Sequence, residues 1–279
     1  MARIAIGHSL ALWKTVRLCI LVKTYPVIDE RGEAVCMAGV TDDARVIRLF
    51  PVRFRSLPAY ARFKKFQWFT AELKKSPDPR PESHEINLDS IRDLAPKPVS
   101  TVGGWAERDR LVEPLRASSL EELNNLRQTT GQSLGLVRPA DIGRLTLKHV
   151  GDEWTEKQAN RLRQMSMFNN APKGELQKIP YEFRYRWRCA DGSCTRHDME
   201  LLDWEIAESY RRWRRLYGTE WKAKLMERYD EELRNRYDSQ WFLGTFARYP
   251  DKWTLIGWYR PPKRNSTSPA VQLELLAHR

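Results

Sequence analysis

Cysteine is scarce in this chain: four residues in 279, at positions 19, 36, 189 and 194. That is too few, and too scattered, for a disulfide framework, so a reducing compartment is expected. Long hydrophobic runs are also missing. The apolar N-terminal stretch is broken by His8, Lys14 and Arg17, and no small-residue cleavage site follows a clean apolar core. Neither a transmembrane helix nor a secretory leader is expected, and the reading is a soluble cytoplasmic protein. No phosphate-cradling P-loop, G-x-G-x-x-G turn or G-x-S-x-G elbow occurs, which argues against Mg-ATP, dinucleotide and serine-hydrolase chemistry. A zinc deaminase would need H-x-E followed by P-C-x-x-C, whereas His197-Asp-Met-Glu200 has the wrong step and no later cysteine pair. Glu220-Trp-Lys222 falls at a helix start, so it does not supply the strand-borne Glu and Lys of a metal-dependent nuclease.

Positive charge, by contrast, is abundant. The formal net charge is +12, and residues 1–75 hold 14 Lys/Arg against 6 Asp/Glu, so +8 of the excess lies in the first quarter. A cationic region of this kind attracts polyanions, of which nucleic acid is the commonest in a cytoplasm.

The same quarter reads as strands. Val16–Val22, Ala34–Val40, Arg45–Phe50 and Phe66–Leu73 are β-branched or apolar runs separated by turn residues. They predict a small antiparallel sheet or partly open barrel. Arg45, Arg48, Arg53, Arg55, Arg62, Lys64 and Lys65 are interleaved there with Phe50, Phe54, Tyr60, Phe63, Phe66 and Trp68. Cations neutralise phosphates and exposed rings stack on bases, so these seven cations and Trp68 are the candidate nucleic-acid-binding residues. The competing expectation is that the rings fill the small core and only the charges face water.

A proline-rich connection, Lys74–Ser83, follows. Ile86–Leu94 reads as a short helix, and Ser118–Arg127 as another, started by a Ser with Glu three residues on and ended by Gly131. Arg144–Val150 is a strand candidate, and Trp154–Phe168 has an amphipathic hint.

The most organised stretch is Pro180–Tyr217. Tyr181, Phe183, Tyr185 and Trp187 alternate with Glu182, Arg184, Arg186 and Arg188, giving a strand with one core face and one wet face. The loop after it carries Cys189, Cys194 and His197, a C-x4-C-x2-H run that can supply three zinc ligands. The fourth is open between Asp198, Glu200, His149 and a water, the last of which would suit a catalytic site. From Met199, apolar residues spaced by three and four predict a helix through Tyr217, with Gly218 ending it. Glu200, Asp203, Glu205 and Glu208 in its first half and Arg211, Arg212, Arg214 and Arg215 in its second match the helix dipole. Trp221, Leu225, Tyr229, Leu233 and Tyr237, at steps of four, predict a second helix capped by Thr219. Trp241–Arg248 and Trp253–Tyr259 predict a hairpin around a Pro-Asp turn. Gly244 and Gly257 mark points of close approach.

The expectation is thus an α+β chain. A basic N-terminal β-domain spans 14–75, a connecting region with short helices 76–140, a C-terminal module of strand, helical hairpin and β-hairpin 141–262, and a flexible tail 263–279. Its expected function is nucleic-acid binding, zinc-stabilised, in a mobile-element or defence-type system, with DNA and RNA undistinguished. A metal-dependent hydrolase or nuclease, with Glu200 or Asp203 as base, and a protein-interaction adaptor are the alternatives.

Overall fold

The computed structural model describes residues 12–29, 32–167, 176–192 and 194–263. Residues 1–11, residues 169–174 and the expected tail from 264 onward lie outside the described residues. The chain is α+β, with three sheets and helices set among them.

The first sheet is built from β1 (Lys14–Lys23), the short β2 (Val27–Asp29), β3 (Gly32–Thr41), β4 (Val46–Val52), β5 (Trp68–Lys75) and β6 (Ser83–Arg92). Its order is β1-β5-β6-β4-β3-β2, and β1 also pairs with β3, so five strands close into a barrel with β2 on an edge. All pairings are antiparallel except β4 with β6, where Arg48 and Leu49 lie opposite Ser83 and His84. A five-stranded Greek-key barrel of this kind is the architecture of the OB-fold.

The helix expected at Ile86–Leu94 is instead barrel strand β6. Ile86 and Leu88 pack against the barrel core at a period of two, and the Ser90 hydroxyl accepts from the Glu72 N–H across a bulge. Pairing to two neighbours outweighs a weak local helix preference.

Alternation decides the barrel's two faces. Leu18 and Ile20 of β1 point into a core with Val35, Leu49, Phe63 and Phe69. Cys19 and Leu21 point outward, yet are equally buried, because Leu134, Leu136, Phe242, Ile256 and Tyr259 cover them. A strand buried on both faces reads as an unbroken apolar run, which is what Leu18–Val22 shows.

The covering sheet is made of β7 (Arg116–Ala117), β8 (Leu134–Val137) and the hairpin of β13 (Gln240–Thr245) and β14 (Trp253–Tyr259), in the order β14-β13-β8-β7. Before β7 comes α1 (Ala106–Val112). Between β7 and β8, α2 (Leu120–Thr130) starts at Ser119, whose side chain accepts from the Glu122 N–H, and ends at Gly131 with φ 78°. At Gly257 a Cβ would meet Val22 Cγ2 at 2.2 Å and Asp203 Oδ2 at 2.8 Å, so β14 lies against β1 only because that position has no side chain.

The third sheet holds β9 (Asp141–Ile142), β10 (Thr146–His149), β11 (Tyr181–Arg188) and β12 (His197–Glu200), with α3 (Glu156–Met167) between β10 and β11. In β11, Phe183, Tyr185 and Trp187 are buried, while Arg184 and Arg186 both reach Asp198 on the wet face. The helix expected from Met199 begins later, as α4 (Trp204–Tyr217), because residues 197–200 pair with β11. Asp203 caps it by accepting the Glu205 N–H at 2.7 Å.

The second helix is α5 (Trp221–Met226), a π-helical segment Glu227–Glu232 and α6 (Leu233–Asn235). A 3-10 turn, Gly218–Glu220, precedes α5, and Thr219 makes no cap. Side chains four apart drift about 40° per step around an α-helix, so a stripe repeating strictly every four would wind off the core. The wider π turn takes up that drift, and Trp221, Leu225, Tyr229, Leu233 and Tyr237 all stay buried. Among the described residues, no helix is long and apolar enough to cross a membrane.

Candidate metal centre and basic cleft

The β11–β12 hairpin brings the predicted thiols and imidazole together. His197 Nε2 lies 3.5 Å from Cys189 Sγ and 3.1 Å from Cys194 Sγ. The fourth member is Glu121 from the first turn of α2, with Oε1 at 4.0 Å from His197 Nε2, and the four ligand atoms all lie within 4.8 Å of one another. Tetrahedral zinc with ligands at ~2.0–2.3 Å has edges of roughly 3.3–3.8 Å, so shifts of several tenths of an ångström would complete the shell. Two backbone N–H groups support the sulfurs: Leu120 donates to Cys189 and Cys189 to Cys194, each at 3.2 Å. Glu121 Oε2 is buried without a hydrogen-bond partner among the described residues. Without a cation, burial pushes the Cys189 thiol up to about 12 and lowers the His197 imidazole.

Of the side chains expected as fourth ligand, Asp198, Glu200 and His149, none joins the cluster. Alternation turns Asp198 and Glu200 to the face of β12 opposite His197, where Asp198 is taken by Arg184 and Arg186. His149 pairs with Asp152 at 3.4 Å. Glu121 carried no signal beyond its place beside a helix start, because the contact joins segments almost 70 residues apart.

The cationic patch expected between β3 and β5 does not form as one surface. Arg48 is 2% exposed and donates to the Ser133 carbonyl at 2.7 Å and to its hydroxyl, which rules it out as a surface contact. Arg55 pairs with Glu33 at 2.7 Å, and exposed Arg45 pairs with Asp43. Arg62 is exposed and donates to the carbonyls of Leu57 and Arg55, Arg53 is exposed, and Trp68 is half-buried beneath Arg17. Phe54 and Phe63 are buried in the barrel core and Phe66 between the barrel and the covering sheet, while Tyr60 is exposed at 82%. The outer face is also partly taken. OB-type barrels bind ligands on their second and third strands, but here Ala38 and Val40 of the second barrel strand are buried against the covering sheet.

Lys64 and Lys65 reach a different place: a cleft of about 380 Å³ where the barrel meets the C-terminal half, lined also by Lys23, Phe66, Pro98, Trp105, Arg108, Glu205, Trp258, Tyr259 and Arg260. Lys65 bridges Asp203 at 3.4 Å and Glu205 at 3.3 Å. Burial alone would lower its ammonium, but the two carboxylates outweigh it and the net direction is up. Lys23 is 8% exposed, with its ammonium 4.0 Å from the centre of the Phe54 ring and its hydrogen bond a long one, 3.5 Å, to the Phe63 carbonyl. Burial first, then Lys65, lower it to about 8. Arg108 lies over Phe66 and Trp105, at 4.6 and 5.3 Å from their centres, and Arg260 over Trp258 at 5.0 Å. Phe66 has φ of 60°, a strained value for a bulky residue, and is pinned by hydrogen bonds from its N–H to Ile20 and from Val99 to its carbonyl, both 2.7 Å. Sequence reasoning missed Lys23, Trp105, Arg108 and Arg260, which come from three separate segments.

A closed Greek-key barrel joined to an α+β module, with a cluster of two thiols, an imidazole and a carboxylate, is the class that fold and site define. The chain belongs to the family described as Domain of unknown function (DUF8757), whose model matches residues 116–275. A second family model, Domain of unknown function (DUF8758), matches residues 14–114. No curated protein matches the chain. Among solved structures, a chain of a replication protein A heterotrimer bound to ssDNA is similar at 11% identity, over 96% of this chain and 69% of that one, with a TM-score of 0.26. A likeness that slight carries no argument.

Proposed function

We propose that the protein binds nucleic acid through the cleft between barrel and C-terminal half, and that zinc at Glu121, Cys189, Cys194 and His197 staples the C-terminal module. The carrying observation is the convergence on one cleft of Lys23, Lys64, Lys65, Arg108 and Arg260 with Phe66, Trp105, Trp258 and Tyr259. Five cations against the Asp203 and Glu205 carboxylates leave a positive site, and half-buried Trp105 offers a ring for stacking. The metal reading rests on the donor set, two thiols, an imidazole and a carboxylate whose second oxygen is buried with no partner among the described residues. Four protein ligands suit a structural zinc better than a hydrolytic one, which keeps a position for water.

The test is the salt dependence of binding to single-stranded DNA and RNA. Log affinity should fall linearly with log salt, and Lys64→Glu with Arg260→Glu should weaken binding at least about tenfold and reduce the slope. An unchanged slope in that double variant would overturn the assignment of the cleft.

A further inference from the structure

The cleft's size and the state of Lys23 say more than that a polyanion binds. At about 380 Å³ it falls in the range of small-ligand sites, ~300–1,000 Å³, and is too small for a duplex. Its charges divide into two sets. Lys65 is held by Asp203 and Glu205, whereas no carboxylate among the described residues lies within 4 Å of the ammonium of Lys23 or Lys64 or the guanidinium of Arg108 or Arg260. Arg108 spends its Nε–H on the Val99 carbonyl, at 2.8 Å, and its two terminal amino groups have no hydrogen-bond partner among the described residues. A buried ammonium with a single long hydrogen bond costs free energy unless an anion completes it. In the same cleft Trp105 packs edge-on to Tyr259 at 5.4 Å, and the Arg108 guanidinium lies against Trp105 and Phe66. The cleft therefore combines cations that suit a phosphate with ring faces that suit a planar base.

We propose that this cleft takes one nucleoside monophosphate unit, its phosphate held by Lys23, Lys64 and Arg260 and its base against Trp105 and Arg108. The inference rests on the nucleic-acid reading in its strand form, where the unit is the phosphorylated terminal nucleotide of a single strand. The same chemistry is met by a free mononucleotide, and the experiment separates the two sources.

Fluorescence anisotropy would compare single strands of DNA and RNA, internally labelled, with 5′-phosphate, 3′-phosphate or hydroxyl ends. AMP, GMP, CMP and UMP would serve as competitors and as direct titrants in calorimetry. One phosphorylated end should bind about tenfold tighter than the hydroxyl-ended strand, mononucleotides should compete, and Lys23→Met should abolish the difference. Trp105→Ala, at a half-exposed position that leaves the fold intact, should weaken every phosphorylated ligand. Mononucleotides that bind while no strand does would support the cleft assignment and overturn the nucleic-acid reading. Equal affinity for hydroxyl and phosphate ends, with no competition by mononucleotides, would overturn the inference and leave that reading standing. Absence of binding to every probe would overturn both.

Discussion

Lys23 closes β1 as a cation in an aromatic surround, with Trp204 at 5.5 Å and Phe63 at 5.9 Å in addition to Phe54. Such a residue lowers stability, since a desolvated charge with no carboxylate in ion-pair contact among the described residues is not compensated by ring faces alone. Lys23→Met should therefore raise the thermal midpoint, by about 1–2 kcal/mol or roughly 2–4 °C for a chain of this size, while weakening anion binding. A midpoint that falls instead, measured by calorimetry, would mean that the ammonium is structural. Glu200 offers a second residue-scale prediction. Burial first, then Glu182, raises its carboxyl from the usual range to about 7. The native chain then holds a proton that the unfolded chain releases, so this contribution is full below about pH 4.5 and is lost as pH rises through about 7. Glu200→Gln should flatten the fall in melting temperature across that window, with the wild-type and variant curves diverging toward pH 7 and above.

The element that depends most on a ligand is the β11–β12 hairpin, because Cys189, Cys194 and His197 meet Glu121 of α2 through the cluster. Metal analysis of the purified chain should find about one zinc per molecule. Removing it with a chelator, or with His197→Ala, should lower the melting temperature by more than about 5 °C, since metal binding adds directly to folding free energy. Glu121→Gln keeps an oxygen donor without the charge and should weaken zinc affinity while sparing the fold. Unchanged zinc content in Glu121→Ala would remove that residue from the shell. Much of this element was legible: the alternation in Tyr181–Trp187 predicts its core face, and the Cys-Cys-His spacing predicts three ligands. Glu121 was not legible, because a ligand delivered by another element leaves no local spacing to read.

Across the whole molecule, the two halves are joined by polar groups as well as by apolar area. Arg48 in the barrel holds Ser133, Ser133 holds Glu82 through its N–H at 2.6 Å and its hydroxyl at 3.0 Å, and Arg80 donates to the Thr245 carbonyl at 2.6 Å. Tyr25 donates its N–H to the Leu202 carbonyl at 2.7 Å, and Thr24 bridges Asp203. Arg48→Met should cost about 1–3 kcal/mol by urea unfolding, because it removes the buried donor to the Ser133 carbonyl and hydroxyl. Its nucleic-acid affinity, measured below the unfolding transition, should be unchanged, which distinguishes a joining residue from a binding one.

The chain's own patterns determined the α+β class, most of the strand and helix positions, the strongly cationic balance and three of the four cluster residues. These follow from local periods of two and about four and from spacing within one loop, which neighbours along the chain are enough to define. Tertiary structure decided which cations face a ligand. It put Arg48 in the interior, tied Arg55 and Lys65 to carboxylates, turned Ile86–Leu88 into the strand that closes the barrel, and drew Lys23, Arg108 and Arg260 into one cleft. Charge carries no direction in sequence, and a side chain meets water or a partner only once barrel and sheet have packed.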